Sequence, residues 1–230
     1  MKPILFFRKL HKWLGLIIGL QILLWVAGGV VMSFFDIDEV RGEHNKAKQK
    51  PLFIEQAVAF SSSQLINSLD YSAESIILKQ WQDRLVWSVQ SKDQTQIFDA
   101  NTGELLSPFS QEATQMVAKQ DFVGDGELIQ SQLITEPLSE VRGRKLPLWQ
   151  HQFNDSDNTR IYVSQETGEV VARRNDTWRL FDFFWMLHIM DYKDRDNFNH
   201  PLLIIAALLA LLMSLSGIYM VLKLVLFKPK

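Results

Sequence analysis

The chain contains no cysteine in its 230 residues. Disulfides, thiolate metal ligands, iron–sulfur clusters and c-type haem attachment are therefore excluded. An HEXXH zinc-peptidase motif, a phosphate-binding glycine loop, a nucleophile–base pattern and any nucleic-acid signature are also missing, so no nucleic-acid partner is expected. Acid is absent from both ends. Residues 1–35 carry Lys2, Arg8, Lys9 and Lys12 with no Asp or Glu, and residues 201–230 carry Lys223, Lys228 and Lys230, again with no acid. Charge of either sign is absent from Trp13 to Phe35 and from Pro201 to Leu222. At ~1.5 Å per residue each run is roughly 33–35 Å long as a helix, enough to cross a hydrocarbon core of about 30 Å.

Two spanning helices are thus expected, at 13–35 and 201–222, with basic flanks at 1–12 and 223–230. Basic flanks on both ends place both termini in the cytoplasm. The first apolar core exceeds the ~7–15 residues of a signal peptide and no A-x-A site follows it, which points to an uncleaved anchor. Residues 36–200 hold the other 17 of the 24 basic residues and all 26 acidic ones, a net charge of −9. This middle region belongs outside: in a bacterium, a periplasmic domain held by the inner membrane.

Between the spans, the charged stretch 36–50 extends or caps the first helix, and Phe53 to Leu69 reads as an amphipathic helix. Strands are expected at Ile76–Leu78 and Arg84–Ser91, then a strand–turn–strand from Gln96 to Leu106. A helix at Ser110–Asp121, a strand at Pro147–Phe153 and a hairpin at Arg160–Val171 follow. Aligning "DANTGELL" with "SQETGEVV" matches Gly103 to Gly168 and Trp87 to Trp149. The result is a helix–strand–strand unit used twice, over about 53–106 and 110–171, inside a domain spanning 36–176. The shared Thr-Gly-Glu calls for a turn with positive φ at glycine. Neither unit buries a core alone, so the two are expected to share one antiparallel sheet, making the chain an α+β membrane protein. The aromatic segment Trp178–Met190 suggests a helix lying at the membrane interface over 177–190, with a core helix of the domain as the alternative. A polar turn, 191–200, leads into the second span.

Of the five histidines, His11 sits at the inner end of the first span, while His188 and His200 bracket the polar turn. His44 lies just beyond the outer end of the first span, and His151 falls in a strand with no evident connection to the rest. A histidine is tolerated at any interface, and His11 also fits a basic flank. The sharper reading is bis-histidine ligation of haem b, with His11, His188 and His200 as axial ligands to haem iron and His44 as a further candidate. Gly15 and Gly19 form a G-x-x-x-G that admits either a helix neighbour or a haem face. Two helices are too few to enclose a haem, so a homodimer with a four-helix membrane bundle is expected. Acids near the outer boundary, Asp36, Asp38, Glu39, Glu43, Asp191, Asp194 and Asp196, fit a solvated flank or a hard-cation site.

The opening "RKLHKWLGLIIGLQILLWVAGG", the two Trp…Thr-Gly-Glu hairpins and "LHIMDY…HPLLIIAALLALLMSLSGIY" resemble the PepSY-associated transmembrane family over nearly the full length. Larger members of that family have four or more spans and include reductases of iron–siderophore complexes that hold two haems through histidines. Small two-span members are similar to ferric reductases that assist iron uptake. The resemblance implies His11 as an inner haem ligand and His188 or His200 as outer ones. It also implies ferric iron or a ferric chelate as substrate, a membrane quinone or cytoplasmic reductant as donor, and a ferrous-iron transporter as partner. A rival reading is a membrane-anchored PepSY binding or inhibitory module, since such domains resemble propeptides that restrain peptidases. Another is a non-catalytic accessory subunit of an iron transporter.

Overall fold

The computed structural model of the chain describes residues 3–48 and 58–223. It divides into a helical unit built from the two ends of the chain and a central unit, Ile37–Trp178.

The helical unit holds α1 (Pro3–Phe34), α6 (Pro201–Val221) and most of α5 (Asp176–Ile189). Helix α1 reaches back beyond the apolar run because Arg8, Lys9 and Lys12 are good helix formers. At 32 residues it is roughly 48 Å long. Helices α1 and α6 run antiparallel: the Phe7 and Tyr219 rings meet at a tilt with centroids 4.2 Å apart, and further along Gly15 faces Met213. Away from this seam the helices are bare; Leu20 is 70% exposed and Leu208 56%. Apolar surface on that scale belongs in lipid. Pro201 opens α6, where its fixed φ and missing N–H cost nothing, and His200 is the N-cap residue.

In the central unit a short helix, α2 (Ile37–Arg41), follows α1 as a separate element, so the charged stretch 36–50 does not prolong the first helix. Helix α3 (Ser62–Ser68) precedes the meander β1 (Ser75–Trp81), β2 (Arg84–Gln90), β3 (Thr95–Asp99). Helix α4 (Gln111–Asp121) precedes a second meander, β4 (Leu128–Ile134), β5 (Leu148–Phe153), β6 (Arg160–Ser164), β7 (Val170–Arg174).

The duplication is carried in detail. Each helix is capped by a serine, Ser61 or Ser110, whose side chain accepts a backbone N–H from the first turn. The residue before each cap is a phenylalanine whose carbonyl takes the indole N–H of the matched tryptophan: Trp87 to Phe60 at 2.8 Å, Trp149 to Phe109 at 3.1 Å. Each phenylalanine ring covers the matched glycine. Gly103 (φ +76) and Gly168 (φ +67) are both left-handed, and a Cβ would stand 2.8 Å from Phe60 or 2.9 Å from Phe109. In both turns the threonine hydroxyl accepts the following glutamate N–H.

The central unit differs from expectation in four respects. The repeats do not share a sheet: they form a three-stranded and a four-stranded sheet, joined where Trp81 packs on Phe109 at 4.5 Å and donates to the Gly168 carbonyl at 2.9 Å. The second strand of the first Thr-Gly-Glu hairpin shrinks to a single bridge, Phe98 to Leu105. Strand β4, "LIQSQLI", was not anticipated, because its polar centre Gln130-Ser131-Gln132 reads as loop. The helix expected over Phe53–Leu69 is observed only at Ser62–Ser68; residues 53–57 lie outside the described residues.

His151 lies in the core beneath α4, fully buried. Its Nδ1 is 2.8 Å from Ser131 Oγ, which also receives Gln115 Nε2 at 2.9 Å, and its Nε2 has no partner among the described residues. Burial pushes its pKa down to about 4 from the ordinary 6.5. The unfolded chain therefore binds the proton first. Stability is full above pH 6.5 and falls as pH drops, levelling below about pH 4 after a loss of roughly 3 kcal/mol. Denaturant titration across this window should show the fall, and His151→Leu should flatten it.

Candidate functional site

His11 lies on α1 facing α6. Its Nδ1 is 3.1 Å from the Met213 carbonyl and 2.9 Å from Ser216 Oγ, and that hydroxyl donates to the same carbonyl at 2.7 Å. A carbonyl only accepts, so Nδ1 carries the proton and Nε2 keeps its lone pair. Nε2 has no partner among the described residues. Gly217 makes room for the ring: a Cβ there would stand 3.2 Å from His11 Cε1. Gly15 packs on α6, its Cβ position 3.6 Å from Met213 Cε, while Gly19 has nothing within 4 Å. The two halves of the G-x-x-x-G thus differ, one at the helix seam and one open.

His188 sits on α5 with its ring 6.2 Å from that of Trp25 on α1. His188 Nδ1 and Trp25 Nε1 are both buried without a partner among the described residues. An orphaned buried polar atom costs about 1–3 kcal/mol. Helix α5 approaches α1 at Gly28, where a Cβ would lie 3.7 Å from the Phe184 ring, and Gln21 Nε2 reaches the Leu187 carbonyl at 3.4 Å. From His11 to Trp25 α1 climbs 14 residues, roughly 21 Å. His11 and His188 therefore occupy opposite ends of the helical pair.

His200 joins the His188 end. Its Nε2 is 2.9 Å from the carbonyl of Ile189, the residue after His188, so Nε2–H donates and only Nδ1 keeps a lone pair. The connecting turn is fastened at both sides. Asp191 accepts backbone N–H groups from Asp194 and Asn197 at 3.1 Å, Asp196 at 3.2 Å and Lys193 at 3.3 Å. Arg195, itself left-handed at φ +57, ties back to α5: its carbonyl takes the Trp185 indole N–H at 3.0 Å and its guanidinium meets the buried Asp182 at 2.5 Å. Partial desolvation works to raise the Asp191 pKa, but the four amides together hold it down at about 2, against an ordinary 3.8. This depressed carboxyl supports the turn above pH 3.8 and releases it only as pH falls through about 2. The amides of Lys193, Asp194, Asp196 and Asn197 should stay protected from hydrogen exchange at pH 4, and Asp191→Ala should expose them at any pH.

His44 belongs to the central unit, where Nδ1 is 3.5 Å from the Asp38 carbonyl and Nε2 is 3.6 Å from Asp157. Among the described residues no cluster of three or more His, Asp or Glu side chains could hold a metal ion. The acids near the span ends are therefore not gathered into a hard-cation site; Asp191 and Asp182 are committed to amides and to Arg195. Met213, Ser216, Gly217, Trp25 and the Asp182–Arg195 pair complete the arrangement without having been singled out as site residues. Ser216 and Gly217 lie within the last-span segment that carries the family resemblance.

A family model described as a PepSY-associated TM region matches residues 8–229. The chain belongs to the PepSY-associated transmembrane family. No curated protein and no solved structure matches it. As a member of this family the protein is a membrane-anchored PepSY module: α1 and α6 are long and apolar enough to span, and the central unit is the domain they anchor.

Proposed function

We propose that this PepSY-associated protein binds haem b through His11 and His188 and passes electrons outward to reduce ferric iron, free or chelated, in support of iron uptake. The observation that supports this most is the state of His11. Its Nδ1–H is spent on the Met213 carbonyl, which leaves Nε2 as a lone-pair donor inside an apolar helical pair. A metal-bound imidazole needs its other ring N–H held by an acceptor in this way. His188 brings an orphaned ring beside an orphaned indole, a placement that a further group would relieve. His200 spends Nε2 on the Ile189 carbonyl, so it braces the turn. His44 stays with the central unit.

When bound, haem supplies one-electron transfer at a potential set by its ligands. The chain's own part is to fix each imidazole, keep one face of the seam open at Gly19, and exclude water with Trp25, Phe184 and Leu187. His11 lies ~21 Å along α1 from Trp25, the neighbour of His188, so the two histidines serve separate haems. A second copy of the chain would supply the partner ligands, making a four-helix bundle. The basic flanks put both termini in the cytoplasm and the PepSY domain in the periplasm. One electron from a quinol or a cytoplasmic reductant converts each ferric ion to ferrous iron, the form a ferrous-iron transporter takes up. Dithionite-reduced protein, freed of excess reductant and mixed with ferric citrate, should reoxidise as ferrous iron appears in equal electron equivalents. Protein that stays reduced would leave the membrane-anchored binding module as the better reading.

A further inference from the structure

In the central unit one sheet edge is left open. Strand β4 pairs with β5 on one side, and nothing pairs with its other side among the described residues. Helix α4 does not close that edge: a groove of about 310 Å³ separates its residues Gln111, Gln115 and Lys119 from the first half of the strand. An open edge offers its N–H and C=O groups to any other strand, and proteins protect such edges with charge, proline or a cover. Strand β4 holds no charged residue and no proline. Its one defence is a bulge at Ile129, which disturbs one end of the ladder to β5 and leaves Gln130–Ile134 in regular register. Ile129, Gln130, Gln132 and Leu133 are all exposed.

The sequence of the strand indicates what fits it. "LIQSQLI" has the same order of residue classes in both directions, with Ser131 at its centre. If a second copy approaches antiparallel about a two-fold axis at Ser131, like meets like. Gln130 then faces Gln132, Ile129 faces Leu133, and Leu128 faces Ile134 of the second copy. An isologous contact requires this self-match, which a foreign strand has no reason to share. Cross-strand apolar pairs and hydrogen-bonded polar pairs are what stabilise such a ladder. The amides are available: Gln130 has no side-chain hydrogen bond among the described residues, and Gln132 spends Nε2 on Gln150 Oε1 at 2.7 Å, which leaves its own Oε1 to accept.

We propose that β4 is a homodimer contact, where a second copy of this chain pairs its own β4 antiparallel and joins the two four-stranded sheets into one. The inference rests on the dimer proposed above, but not on haem, and it adds a contact in the central domain to the one in the membrane.

The chain has no cysteine of its own, so introduced ones are unique and disulfide crosslinking reads the register directly. Directly opposite residues stand about 4.5–5.5 Å apart and diagonal ones about 7–8 Å, while a disulfide needs Cα atoms within about 7 Å. Full-length Gln130→Cys and Gln132→Cys, carrying different tags, are co-expressed and their membranes oxidised with copper phenanthroline. Both positions are exposed, so neither change disturbs the core. The mixed pair should crosslink several-fold more than either variant with itself, whereas Gln130→Cys with Ile134→Cys and Lys92→Cys with itself should not crosslink. The matched pattern in a colourless protein contradicts the haem reading and upholds the contact. A dimer by mass that lacks the matched crosslink overturns the contact and leaves the membrane dimer standing. Slow hydrogen exchange of the β4 amides in a chain that does not crosslink also overturns it, and assigns the edge to another segment of the same chain.

Discussion

Under the haem-binding function proposed above, His11→Ala should remove the haem at its end of the helical pair, because no other imidazole on the described chain lies at that level. On the same reading the haem of the His188 end should remain, so the variant is expected to lose one of two spectral populations. The structure also grades the substitutions around His11. Ser216→Ala leaves the Met213 carbonyl to hold Nδ1–H, so the ring keeps its tautomer but loses one of two restraints. Loss of a hydrogen-bond partner that orients a metal-bound imidazole weakens binding by about 10–100-fold. Gly217→Leu acts by volume: a Cβ alone would stand 3.2 Å from the ring, and a branched side chain must push it off the seam. His200→Ala should leave the haem content nearly intact while loosening the turn after α5, which distinguishes a brace from a ligand. Pyridine-haemochrome quantitation across the four variants supplies the readout.

Gly168→Ala should be among the most destabilising single changes in the central domain. The left-handed backbone alone costs an alanine roughly 1–2 kcal/mol. The new methyl would also press on the Phe109 ring, 2.9 Å away, and on the Trp81 indole that joins the two sheets. Overpacking adds about 1–3 kcal/mol, for a total of about 2–5 kcal/mol, or on the order of 10 °C in the unfolding midpoint of a domain this size. Gly143 provides the control. Its φ is +67 but nothing lies within 4 Å of its Cβ position, so Gly143→Ala should carry the backbone cost alone. Gly103→Ala should fall between the two, since Phe60 covers it but no tryptophan follows. Thermal unfolding of the full chain in detergent, followed by near-ultraviolet circular dichroism, ranks all three.

The spans and the repeat were legible because each rests on a local physical rule. A run without charge has to be a lipid-facing or buried helix, and a Thr-Gly-Glu turn with positive φ needs its glycine wherever it occurs. The matching of Trp87 to Trp149 was also legible, though its cause, the shared hydrogen bond to the residue before each helix cap, was not. That bond joins residues 27 and 40 positions apart. Two sheets replaced the expected one because strand patterns show which face is buried but not which edge meets which. Strand β4 was missed because the alternation Gln130, Ser131, Gln132 is polar on both faces; Ser131 faces inward only because His151 and Gln115 receive it. In the helical unit the histidines could be found by their positions. Their tautomers could not, since those depend on Met213 and Ile189, whose carbonyls carry no sequence signature. The fastening of the turn by Asp191 and Arg195 was likewise hidden, because "DYKDRDN" reads as solvated charge until the backbone curls around its first carboxylate.

The most direct test of haem binding is the visible absorption spectrum of the full chain, purified in mild detergent from haem-replete cells. A sharp Soret band that shifts on dithionite reduction, with the resolved bands of six-coordinate low-spin haem, is the expected result. A colourless preparation from those cells would contradict it.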